Sequence, residues 1–119
     1  MKSYDITVLP GDGIGPEVMD VALSVLDLVG HKFNIKFNCK EELFGGCSID
    51  KYGIPLTDET INNCKNADSI LLGAVGGPKW EEQPHNKKPE QGLLKLRKSL
   101  GLYANLRPTL VFDSLLDMS

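Results

Sequence analysis

The sequence predicts an α/β fold with at least some parallel strand pairing, and one that is not a Rossmann sheet. Three observations carry that expectation. Strand-like and helix-like segments alternate in the order strand, helix, strand, helix, strand. Ser69 to Val75 is a continuous, glycine-bounded apolar run, the pattern of a strand buried on both faces. Gly11-Asp12-Gly13-Ile14-Gly15 joins the first strand to the first helix, but its spacing is wrong for dinucleotide binding. Against G-x-G-x-x-G the third glycine comes one residue early and Pro16 takes the place of the last. The acidic residue that should end a second strand is also missing, since Cys39-Lys40 precedes Glu41.

Tyr4 to Leu9 is β-rich and ends at Pro10, which marks the first strand. Pro16 is placed to open a helix, because its absent N–H would have had no partner there. That helix is expected to reach Val29 and stop at Gly30. Val18, Val21, Ala22, Val25 and Val29 share its apolar face, with Glu17, Asp20, Ser24 and Asp27 opposite. Phe33 to Cys39 alternates strictly: Phe33, Ile35, Phe37 and Cys39 face one side of a half-buried strand. Gly45-Gly46 and Tyr52-Gly53-Ile54-Pro55 read as loops. Thr57 can cap a helix from Asp58 to Lys65, with Leu56 packing on Ile61 as a hydrophobic staple. After Val75 come a Gly-rich loop, a short helix carrying Leu93 to Lys98, and an extended segment held by Pro108.

Composition excludes several functions. The chain has 119 residues, enough for one modest domain with a real core. A net charge of −3 and no basic block interleaved with aromatics argue against nucleic acid. No apolar run approaches the roughly 20 residues of a membrane span, and MKSYDITVLP has no signal-peptide core. Cys39, Cys47 and Cys64 are odd in number and lack CxxC spacing, as in a cytosolic protein with reduced thiols. The final residues, Phe112 to Ser119, resemble no finished terminus, so a truncated chain is expected.

The chemistry concentrates between Gly76 and Pro108. Glu90, Leu93 and Arg97 fall on one helical face, and Arg107 follows on the extended segment. Two arginines beside an apolar surface suit a small substrate with a carboxylate at one end and an alkyl group at the other. A guanidinium fork grips a carboxylate through two N–H bonds, which lysine cannot copy. Each residue also has a plainer reading. Arg97 with Lys98 can be a cationic helix end, and Arg107 a surface charge. Trp80 reads better as a core anchor than as a pocket wall, and His31 and His85 as solvated surface residues. The GDGIG turn is either ligand-adjacent or pure architecture.

Taken together, LPGDGIGPEV, GAVGGPKW, the LLKLRK helix and NLRP resemble the N-terminal third of the 3-isopropylmalate dehydrogenases. These belong to the β-decarboxylating dehydrogenases, alongside enzymes acting on isocitrate, tartrate, D-malate and homoisocitrate. GDGIGPEV is shared across the family, whereas GGPKW with E-x-G-L-L-x-L-R-K points to the isopropylmalate branch. The resemblance implies the isopropylmalate-dehydrogenase-like fold, here incomplete. It implies NAD-dependent oxidative decarboxylation of 3-isopropylmalate to 2-oxo-4-methylpentanoate in leucine biosynthesis, with Mg²⁺ or Mn²⁺.

By position, the resemblance assigns the nicotinamide end of NAD to Ile14 and to a loop. That loop comprises Gly76, Gly77, Pro78, Lys79, Trp80, Glu81, Glu82, Gln83, Pro84, His85, Asn86, Lys87, Lys88, Pro89 and Glu90. It assigns the isopropyl group to Leu93 and the malate-like carboxylates to Arg97 and Arg107. No catalytic or metal-binding residue is expected within the chain, and Asp113 and Asp117 match none of the family's metal ligands. Residues 1–102 would belong to the larger, cofactor-bearing domain and residues 103–119 to the start of the dimerisation domain. The complete enzyme would be a cytoplasmic homodimer without nucleic-acid or membrane partners. The fragment alone would be inactive. A sister dehydrogenase for tartrate, D-malate or homoisocitrate and a free-standing anion-binding module are the alternatives.

Overall fold

The computed structural model describes residues 1–118, with side chains placed for residues 1–116. Three parallel strands form its sheet: β1 (Lys2–Gly11), β2 (Ile35–Glu41) and β3 (Ser69–Ala74), in the order β2-β1-β3. The register runs from Lys2 opposite Ile35 to Val8 opposite Glu41, and from Ile6 opposite Ser69 to Gly11 opposite Ala74. The strand buried on both sides is therefore β1, whose residues from Ile6 onward are all buried. The apolar run in β3 instead forms a half-exposed edge among the described residues, with Leu72 open to solvent. An apolar run reports that a strand suits burial; sheet order decides which strand is central.

Alternation along β1 divides the core. Ile6 and Val8 face α1 (Gly15–Phe33) and pack with Met19, flanked by Ala22, Leu23, Phe37 and Leu71. On the opposite face Leu9 meets Phe44, Leu56, Ile61, Cys64 and Leu96. That second cluster is closed by α2 (Gly46–Tyr52), α3 (Asp58–Asn66) and α4 (Pro89–Ser99). Leu9, Phe44 and Leu56 are almost fully buried, worth about 1.5–3 kcal/mol each.

Two expectations for α1 fail. Its buried face is Gly15, Met19 and Gly30, with Ala22, Leu23 and Leu26 half-buried. Val18, Val21, Val25 and Val29 are exposed. Both stripes have helical spacing, and only the sheet distinguishes them. Nor does Gly30 stop the helix, which continues to Phe33 and ends at left-handed Asn34 (φ 54°), whose N–H donates to the Gly30 carbonyl. Phe33 thus belongs to α1, and β2 begins at Ile35. Gly30 is there for close approach, since a Cβ on it would stand 2.8 Å from the Ile35 carbonyl oxygen and against the Phe37 ring.

Elsewhere the local patterns hold. In α3, Thr57 Oγ1 accepts the Thr60 N–H at 3.2 Å, and Leu56 and Ile61 sit in one cluster as the staple requires. By contrast, Gly46 opens α2, a short helix in a stretch read as loop. Pro89, Gly92 and Leu96 form the buried face of α4. The segment expected to be extended, residues 102–112, has no regular structure and lies exposed, with no strand beside it among the described residues. Asp113–Met118 follows as a 3₁₀ turn. No described helix is long and apolar enough to cross a membrane.

Gly30→Ala tests the contact between α1 and β2. Helix propensity alone favours alanine by about 1 kcal/mol. The clash with Ile35 should reverse that sign, lowering stability by about 1–2 kcal/mol in urea unfolding.

Candidate active-site cleft

At the carboxyl ends of β1 and β3 the chain must reverse twice, and one side chain organises both reversals. Asp12 is only 4% exposed. Its Oδ2 accepts the N–H groups of Gly46 (2.6 Å) and Gly76 (2.9 Å), and its Oδ1 accepts that of Cys47 (2.8 Å). Its own N–H donates to the Ala74 carbonyl at 2.7 Å. The α2 N-cap residue, Gly45, has no side chain to offer, so Asp12 supplies the oxygens that the first turn of that helix lacks. Local sequence patterns do not reveal this role of Asp12, because its partners lie 34 to 64 residues away. The available clue was a lone carboxylate among glycines directly after a buried strand.

The Asp12 and Gly15 N–H groups are bonded to the Ala74 and Asp12 carbonyls, and a buried carboxylate occupies the centre. Ile14 stands 63% exposed at the tip of the turn, just before α1.

The loop after β3 leaves Gly76 and makes a 3₁₀ turn at Pro78–Trp80 and another at His85–Lys87. Trp80 is half-buried, with its ring over Gly46, where any Cβ would collide. Its indole N–H donates to Asp50 Oδ1 at 3.2 Å, and Lys79 Nζ donates to Asp50 Oδ2 at 2.7 Å. Trp80 therefore anchors the loop to α2 rather than to the main core. It also lines a cleft of about 280 Å³ with Gly77, Pro78, Glu81, Lys88, Pro89 and Glu90. The Glu90 carboxylate reaches back over Gly76, 2.5 Å from where a Cβ would stand. Four larger open grooves, of about 420 to 580 Å³, lie away from this loop; one follows the ends of α3 and α4, one lies between β1, β2 and α3, and two run along α1, Tyr4 and Phe37 at the other end of the sheet. The last two are mainly apolar and face the strand starts. In α/β sheets ligands bind at the carboxyl ends, so the smaller cleft is the candidate site.

Of the remaining loop residues, Glu82, Pro84, His85, Asn86 and Lys87 are exposed and Gln83 is half-buried. Among the described residues the His85 ring pairs with Gln91, and that of His31 with Asp27 on α1, as befits surface residues. Leu93 is half-buried and leans on the Leu9 cluster, and Arg97 is half-buried in the last turn of α4. Arg107 is exposed further along, with its Nε donating to Asn105 Oδ1 at 3.3 Å.

None of the three cysteines is set up for covalent chemistry. Burial raises the thiol of Cys47, helped by the Asp12 charge, and burial likewise raises Cys39 and Cys64, so none is poised as a thiolate. Among the described residues no group of three His, Cys, Asp or Glu side chains could hold a metal ion.

The family model for isocitrate/isopropylmalate dehydrogenase matches residues 5–119. The chain belongs to that family. It is 56% identical over its whole length to the 3-isopropylmalate dehydrogenase of Aquifex aeolicus, of which it covers 33%. It is 59% identical to that of Halalkalibacterium halodurans, with 96% of this chain and 31% of the relative aligned. The chain thus spans about a third of the length of these curated relatives. Among solved structures, a β-decarboxylating dehydrogenase from Thermococcus kodakarensis superposes with a TM-score of 0.66 at 34% identity, over 84% of this chain and 27% of that one. Isocitrate dehydrogenase from Methylococcus capsulatus gives 0.65 at 28% identity, over 84% and 26%. The parallel α/β sheet is therefore that of isocitrate/isopropylmalate dehydrogenase-type enzymes.

Two outcomes follow from this geometry. Asp12→Ala strands three N–H groups at once, and should lower stability by about 3 kcal/mol or more in chemical unfolding. The bonds from Lys79 and then Trp80 hold the Asp50 carboxyl below its ordinary 3.8. A lowered carboxylate contributes above its unfolded value and loses that contribution as pH falls through the folded one. Trp80 fluorescence should accordingly stay constant at neutral pH and change only on acidification below the ordinary carboxylate range.

Proposed function

We propose that this chain forms the N-terminal third of an NAD-dependent 3-isopropylmalate dehydrogenase, converting 3-isopropylmalate to 2-oxo-4-methylpentanoate with loss of carbon dioxide in leucine biosynthesis. The observation that carries this reading is the cleft between Trp80 and Glu90, with Leu93 and Arg97 on the helix whose first turn holds Glu90. It is supported by 55–59% identity to relatives named 3-isopropylmalate dehydrogenase. Residues 1–102 form part of the cofactor-bearing domain and residues 103–119 begin the dimerisation domain. The complete enzyme is cytoplasmic and homodimeric.

Each residue type has its task. Gly76 through Glu90, with Ile14, line the nicotinamide end of NAD, which when bound accepts the hydride from the substrate's C2. Arg97 and Arg107 hold the substrate carboxylates, which is catalysis by positioning. This requires Arg107 to leave Asn105 and turn toward α4 when the next part of the polypeptide is present. Leu93 offers half-buried apolar surface to the isopropyl group. Isocitrate would place a third carboxylate there, beside Glu90, unpaired and repelled. For Mg²⁺ or Mn²⁺ the described residues provide no fitting cluster, so no step is assigned to this chain through the metal.

A chimera tests the assignment: residues 1–119 joined to the remaining two thirds of the Aquifex aeolicus relative. It should form NADH from 3-isopropylmalate, while the 119-residue chain alone should not. Oxidation of D-malate or isocitrate in preference to isopropylmalate by a folded chimera would overturn the reading. Within it, Leu93→Ser should raise KM for isopropylmalate relative to malate about tenfold, since an apolar pocket contact is worth about 1–3 kcal/mol. Arg97→Lys should lower kcat/KM at least about tenfold, because the bidentate grip is lost.

A further inference from the structure

Asp50 lies outside the cleft, yet it holds one of the cleft's walls. Gly46 and Asp50 are a helical turn apart on α2 and share a face. Over Gly46 sits the Trp80 ring, and the two Asp50 oxygens take the Trp80 indole N–H (3.2 Å) and the Lys79 ammonium (2.7 Å). Both donors belong to the 3₁₀ turn Pro78–Trp80, whose other flank lines the cleft opposite Glu90. The turn's own backbone support is local: Trp80 N–H to the Gly77 carbonyl at 3.1 Å, Glu81 N–H to that of Pro78 at 3.3 Å and Gln83 N–H to that of Trp80 at 3.2 Å. We infer that Asp50 is a positioning residue, whose carboxylate clamps the Pro78–Trp80 turn onto α2 so that the cleft wall stands formed before any ligand enters. The charge and the acceptor act together. One oxygen orients the indole, and the other keeps Lys79 folded back alongside the ring, its Nζ 5.6 Å from the ring centre. A preformed wall spares the ligand the ordering of a loop. The clamp serves any occupant of the cleft, and in the dehydrogenase reading it orders the surface that nicotinamide meets.

Trp80 is the single tryptophan of the chain, so its emission reports the clamp directly. Emission maximum and acrylamide quenching are measured on the 119-residue chain and on Asp50→Ala, Asp50→Asn and Lys79→Met, with far-UV circular dichroism alongside. Asp50→Ala should shift emission to the red and raise the quenching constant roughly two- to fivefold, the scale set by losing an exposed ion pair and a hydrogen bond. Asp50→Asn, which keeps an acceptor for the indole, and Lys79→Met, which removes only the ion pair, should each fall between wild type and alanine. Native dichroism with wild-type emission and quenching in Asp50→Ala would overturn the proposal. Should Asp50→Ala lose its dichroism, Lys79→Met decides, because Lys79 is exposed and its loss leaves the core untouched: quenching equal to wild type overturns the clamp, and a rise upholds it. No nucleotide enters the measurement. A separate failure of the chimera to use NAD would count against the dehydrogenase assignment and leave the clamp standing.

Discussion

The carboxylate of Asp12 is the constraint on which the rest of this structure depends. It sits where β1 ends, out of water, and binds N–H groups from two other parts of the chain. Charge-assisted bonds of this kind are short and directional, and a buried carboxylate without them would be very costly. The start of α2 and the exit of β3 are therefore tied to one point. With α2 placed, Gly46 offers its bare surface to Trp80 and Asp50 offers its oxygens, and the loop beyond Gly76 lies down on that helix. The cleft beside Glu90 is the consequence, reached from Asp12 through a helix of only seven residues.

Two layers of packing support this arrangement. On one side of the sheet α1 covers Ile6 and Val8, and on the other α2, α3 and α4 enclose Leu9 and Phe44. Leu93 belongs partly to this second layer, leaning on the same cluster that Leu96 fills. That lean has a functional meaning within the proposed reading. A leucine braced by the core presents a fixed apolar surface, whereas a freely rotating one would distinguish an alkyl group poorly. Arg97, a turn further along α4, inherits its placement from the same buried face.

Much of the fold was legible because short-range patterns carry it. The Thr57 cap, the Leu56–Ile61 staple and the strand ending at the GDGIG turn are each set by residues within a few positions of one another. Where a pattern had two solutions, sequence alone chose wrongly or not at all. α1 carries a valine stripe and a Met19–Leu26–Gly30 stripe at equal spacing, and β1 and β3 are both apolar enough to be central. α2 was invisible, since Gly45-Gly46 signals a turn and the carboxylate that caps the helix lies far back along the chain.

What the sequence determined by itself was the succession of strands and helices, the capped helix α3, and the motifs that place the chain among the isocitrate/isopropylmalate dehydrogenases. Tertiary structure alone decided which strand stands in the middle, which face of α1 is hidden, that Asp12 caps α2, and that Trp80 rests on Gly46. The physical reason is one of range. Propensity, periodicity and capping act over a turn or two of chain, whereas Asp12 meets Gly46 and Gly76 across separations of 34 and 64 residues. Such contacts exist only after the sheet has brought the strand ends together.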